Sequence, residues 1–160
     1  MDKARLIHEV TGSLLLLEEE LRSFSANMTA RTYRKAVHNL YFAAFNAGIA
    51  LLWSRGIGPG KAHDGVLPLL SLHFVKAGAL PRDAGARLHE LMAARHAADY
   101  KGAIPIALSD VRKFHRWVAP FLGQAIALIK AGAVKADTRA IDALLSRFPE
   151  VKSGGRTMGR

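Results

Sequence analysis

An all-α domain is what this sequence predicts, and three observations predict it. Apolar residues recur at steps of three and four through most of the chain. No stretch alternates for long or gathers the β-branched residues a sheet needs, and glycines and prolines fall mostly between the periodic segments. With 160 residues, half of them apolar, there is material for one hydrophobic core and too little length for two comfortable ones. The expected architecture is an up-and-down bundle of four to five antiparallel helices, with a short extra helix and a disordered tail at the C-terminal end.

A first helix is predicted from about Lys3 to Arg22, carrying Leu6, Val10, Leu14, Leu17 and Leu21 on one stripe. A second runs from about Thr29 to Arg55, where Gly56, Gly58, Pro59 and Gly60 stop it. Inside it, Ala36 to Ser54 bears no formal charge over nineteen residues, close to the length of a membrane span. His38, Asn39, Asn46 and Ser54, together with the small residues between them, instead suit a central helix buried among others. The third helix is expected from His63 to Lys76, closing at Gly78, and Pro81 opens a fourth that ends at Tyr100. Ser109 is the expected N-cap of a fifth, which reaches Ala131 with Pro120 as a kink or Gly123 as a close-packing point. Asp137 or Thr138 then caps a short helix through Arg147, expected to dock loosely through Ile141, Leu144, Leu145 and Phe148. The resulting division is a helical domain over 1–132, an accessory helix over 133–148 and a basic disordered tail over 149–160.

The net charge of +10 is unevenly distributed. Residues 1–20 hold two basic and five acidic side chains, residues 21–130 fifteen and five, and the last thirty six and three. A basic body favours polyanionic partners such as RNA, DNA, a nucleotide or an acidic protein, although an evenly solvated basic surface fits the same count. The absence of cysteine excludes disulfides, thiolate metal sites and cysteine nucleophiles. Met1 to His8 lacks the apolar core of a secretory signal, so a cytoplasmic location and no membrane association are expected.

Several chemistries are excluded by spacing. No acidic residue is followed three positions later by histidine and no two histidines stand four apart, so di-iron and helix-borne zinc motifs are missing. No metal and no cofactor are expected. The run from Gly56 to Lys61 lacks the Ser or Thr and the earlier glycine of a phosphate loop, and is a helix stop.

The fourth predicted helix carries an anomaly. Its apolar stripe of Leu88, Leu91 and Met92 continues into Arg95 and Asp99, which sets charge on the buried face. A buried arginine requires a partner, and Asp99 one turn on supplies part of it; an ion pair pinning a helix end is the structural alternative to a ligand site. The second helix shows a matching feature, with His38 and Tyr41 on the stripe of Phe45 and Leu52.

These two segments resemble those of the HEPN family, small helical domains named for nucleotide binding in higher eukaryotes and prokaryotes. The second-helix segment reads His38-Asn39-Leu40-Tyr41-Phe42-Ala43-Ala44-Phe45, with Ala50-Leu51-Leu52 following. At the end of the fourth, Arg95-His96-Ala97-Ala98-Asp99-Tyr100 matches the Arg-x-x-Ala-Asp-Tyr pattern of a bacterial and archaeal branch. His63, ahead of Gly65 and Leu67, is in keeping with it, and the resemblance spans about residues 1–130. It implies a protein that binds a nucleotide or RNA, as a toxin or partner in a nucleotidyltransferase-linked toxin–antitoxin system. The alternatives are a metal-independent ribonuclease and a purely structural interaction domain. Family ribonucleases carry Arg, four to six residues, then His; Tyr100 occupies the histidine's place here, and Asn39 stands where the branch has a second-helix Arg. By resemblance the candidate catalytic residues are Arg95, His96 and Tyr100, with His96 as the acid or base beside the arginine. The candidate binding residues are Arg95, Asp99, Tyr100, His38, Asn39 and Tyr41. A homodimer sharing a polar cleft at the fourth helix and a small nucleotidyltransferase partner are also expected.

Overall fold

A computed structural model describes residues 2–60 and 63–148, so the tail expected over 149–160 lies outside the described residues. These contain six α-helices and no strand: α1 (Lys3–Thr29), α2 (Tyr33–Ser54), α3 (Val66–Leu70), α4 (Ala84–Tyr100), α5 (Leu108–Ala131) and α6 (Arg139–Ser146). The all-α bundle is as predicted. α2 lies at its centre, packed on α1, α3, α4 and α5. It is long and apolar enough to cross a membrane by length and composition, but 72% of its most apolar window is buried within the bundle.

α1 is longer than expected because its stripe does not end at Leu21: Phe24 is buried and Met28 packs against the same core. The helix closes when the Arg31 N–H bonds Met28 O at 3.2 Å and the Thr32 N–H bonds Asn27 O at 2.9 Å. That closure holds Arg31 at φ 59°, a left-handed conformation that the closures at Gly56 and Gly78 give to glycine. The third predicted helix divides into a 3₁₀ turn over 63–65, α3, and a π turn over Ser71–Val75. Pro68 stands in the first turn of α3, where its missing N–H is no loss. Gly48 lets α3 approach α2, since a Cβ there would meet Leu70 Cδ1 at 2.8 Å.

α4 begins at Ala84, with Pro81 in the turn ahead of it and the Asp83 carbonyl accepting from Arg87 N. α5 begins at Leu108, so the cap falls on Ala107 and not on Ser109; Asp110 reaches back to accept from Ala107 N at 2.8 Å. Pro120 is carried within the helix. Beyond α5 the chain folds back over α1 more firmly than loose docking: Val134, Ile141 and Phe148 are buried. The Phe148 ring packs at a tilt against Phe24 and His115, its centroid 5.0 and 4.5 Å from theirs.

Candidate anion-binding site between α2 and α4

The charged end of the α4 stripe meets the polar face of α2, so the two anomalies answer each other. Leu88 and Leu91 are buried against the bundle, and Arg95 and Asp99 follow on the same face. The Arg95 guanidinium lies over the rings of Tyr41, 4.9 Å from its centroid, and Phe42, 5.3 Å from its centroid. Its Nη1 is 3.6 Å from Asp99 Oδ2. The same carboxylate takes His38 Nδ1 at 2.9 and 3.2 Å from its two oxygens, and the imidazole packs 4.7 Å from the Phe42 ring. Burial pushes the Tyr41 phenol above its usual pKa, with Arg95 pulling the other way through charge and a hydrogen bond. Arg95 Nε is buried without a hydrogen-bond partner, although the side chain as a whole keeps 18% of its surface exposed. The exposed part of the guanidinium, and not the buried Nε, is the part within reach of an oxyanion.

Sequence reasoning missed Arg34. One turn before His38 on α2, its guanidinium donates to the carbonyls of Ala98 at 3.2 Å, Lys101 at 3.3 Å and Gly102 at 3.0 Å, and also to that of Ile104. α4 has no basic residue in its last turn, and Arg34 supplies the missing cap from a neighbouring helix. The only clue in the sequence is the four-residue step between Arg34 and His38. Its partners are main-chain atoms, which leave no pattern.

The remaining candidates divide. His38, Tyr41, Arg95 and Asp99 come together. Asn39 does not join them: it is buried against α1, donating to Glu20 Oε2 at 2.8 Å and accepting from Asn27 Nδ2 at 2.7 Å. One residue along a helix is a turn of about 100°, which carries Asn39 to the other side. His96 and Tyr100 pair on the outside of α4, their centroids 5.0 Å apart, with Tyr100 70% exposed. The imidazole bonded to the carboxylate of the Arg95–Asp99 pair is that of His38, from α2, while His96 packs against Tyr100. The side chain of His63 lies outside the described ones. Beneath the cluster is a small apolar hollow lined in part by Tyr41, Phe45, Leu67 and Met92. Among the described residues, no three His, Asp or Glu side chains converge as metal ligands.

Comparison with known proteins adds a family. No family model matches the chain. A 74-residue stretch is 36% identical to a UPF0332 protein of Pyrococcus horikoshii, covering 46% of this chain and 51%, about half, of that relative. Over 92 residues it is 30% identical to a Methanocaldococcus jannaschii protein named "putative toxin", covering 58% of this chain and 68% of the other. Over 111 residues it is 30% identical to a UPF0332 protein of Thermotoga maritima, covering 69% and 74% of the two chains. On that coverage the chain belongs to the UPF0332 family.

Proposed function

We propose that this protein binds a phosphate-bearing ligand, a nucleotide or RNA, at Arg95, and serves as the toxin or toxin-like partner of a small nucleotidyltransferase. One observation carries the binding role: a largely buried guanidinium braced by Asp99 and two aromatic rings, with Nε left unmatched. An arginine serving only as a brace between helices would match its donors within the protein, because an unmade buried hydrogen bond costs about 1–3 kcal/mol. The basic body of the chain adds long-range attraction for a polyanion. The exposed pair of Tyr100 and His96 offers rings on which a base stacks. The toxin role draws on the HEPN resemblance and on the Methanocaldococcus relative's name. A homodimer meeting at α4 would place two such sites in one cleft.

The test compares wild type with Arg95→Lys by fluorescence anisotropy with labelled single-stranded RNA and by calorimetry with nucleotides. The lysine keeps the charge and loses the fork. Affinity is expected to fall about tenfold, or about 1.4 kcal/mol, with the melting temperature little changed. If binding instead tracks the folded fraction alone, Arg95 is a structural brace and the proposal fails.

A further inference from the structure

We infer that the outer face of α1 is an interaction surface of its own, and that its partner is the same face of a second copy of this chain, laid antiparallel and crossing at Gly12. The inference is independent of any ligand at Arg95. α1 packs on α2 and α6 and on no other element, so among the described residues its remaining side is uncovered. On that side Leu15 and Leu16 are 57% and 52% exposed, whereas Leu14, Leu17 and Leu21 of the same helix are buried. Single exposed leucines are ordinary, but two in a row turned away from the core contribute nothing to packing within one copy. α1 does not touch α4, so this surface is separate from the Arg95 site.

Between the two leucines runs a ridge of Arg5, Gly12 and Glu19, all exposed. Steps of seven fall just short of two turns, so the ridge drifts slowly round the helix, the geometry of helices that cross at about 20°. Its ends carry opposite charges and its centre is open. The Arg5 side chain is 62% exposed, with Glu9 no nearer than 3.9 Å. A Cβ on Gly12 would meet nothing within 4 Å, which leaves room for a neighbouring backbone. Laid parallel, two such ridges set Arg5 on Arg5 and Glu19 on Glu19. Laid antiparallel, each Arg5 stands opposite the second copy's Glu19, because both lie about 10 Å along the axis from Gly12. Leu15 and Leu16 flank the crossing, where the second helix covers them. The contact is isologous and closes at two chains. A partner of one sign, or an anionic membrane, would match one end of the ridge and repel the other.

The chain has no cysteine, so Gly12→Cys places its one thiol at the expected two-fold axis. Crossing helices bring the paired Cα atoms there within the roughly 4.4–6.8 Å that a disulfide spans. In a glutathione redox buffer the full-length variant is expected to form a disulfide-linked dimer, whereas Ser25→Cys, exposed further along the same helix, should not. Adding Arg5→Glu or Glu19→Arg to the Gly12→Cys chain should slow linkage by about tenfold each. Mixing those two chains should restore the rate to within about threefold of Gly12→Cys alone, since each then faces its opposite charge. Circular dichroism should show the same helix content in all of them. The inference is overturned by an unlinked Gly12→Cys whose thiol still reacts with a maleimide, or by equal linkage through Ser25→Cys. Linkage indifferent to both charge reversals overturns it too, as does a mixture that links no faster than its parts. Loss of the Arg95 binding role would leave it standing.

Discussion

His38 and Asn39 are neighbours in sequence, yet they enter two polar clusters on different sides of α2. On the α1 side, Asn39 bonds Glu20 and Asn27, and the Asn27 side chain in turn accepts from Thr32 Oγ1 at 2.7 Å. Donors and acceptors are matched, and Asn39 is 5% exposed. On the α4 side, His38, Asp99 and Arg95 share one carboxylate, and a buried donor of Arg95 is left over. Burial of polar groups alone therefore does not mark a site. What separates the two clusters is whether the protein completes its own hydrogen bonds, since a complete network fixes helices and an incomplete one leaves a buried donor at a cost.

The largest effect on stability is expected where the network is complete. Asn39→Ala strands Glu20 and the Asn27 amide inside the α1–α2 seam and should cost about 2–3 kcal/mol in urea unfolding. Ligand affinity of the folded fraction should not change. A loss under half that size would show the α1 cluster to be as incomplete as its counterpart.

His115 sharpens the contrast from another direction, because it is buried between Phe24 and Phe148 where His38 has a carboxylate. Burial holds the His115 pKa below its ordinary 6.5. The unfolded chain then takes up the proton first as the solution is acidified. The stability from a neutral ring is whole above the ordinary value and is lost as pH falls from there toward the lowered one. Unfolding free energies measured across that range should show this acid limb, and His115→Phe should flatten it.

At the corner between α1 and α2, Arg31→Gly relieves a left-handed residue and should raise stability by up to about 1 kcal/mol. A decrease would mean that the Arg31 side chain holds the corner in place. A smaller change in stability is expected from Arg95→Met, which keeps an apolar stem over Tyr41 and leaves Asp99 its bond to His38; its cost should fall below that of Asn39→Ala while binding is lost. A cost comparable to that of Asn39→Ala would make the α4 cluster a second structural network and dissolve the contrast.

Much of this was legible from spacing. The step of three and four that places Arg95 and Asp99 after Leu88 and Leu91 also places His38 and Tyr41 on one face of α2, so the two halves of the site could be read before their meeting was known. Helix ends were less legible. Ser23, Ser25 and Asn27 look like a stop after Arg22, and only Phe24 and Met28 reveal that the core continues. The rest depends on long-range partners. Whether Asn39 or His38 faced α4 turned on which helix lay on which side of α2, and the side that His96 takes follows from the same fact. Arg34 was invisible because carbonyl groups are common to every residue.

The Arg34 cap also bears on the order in which the chain is assembled. Its contacts bridge 64 to 70 residues, whereas those of Asn39 with Asn27 and Glu20 bridge 12 and 19. Short closures cost less chain entropy, so the α1–α2 contacts are the less costly of the two sets to close. During synthesis the hairpin is complete once α2 has left the ribosome, but the cap waits for Ile104. A nascent chain thus holds both partners of the α1–α2 seam well before it holds those of the Arg34 cap.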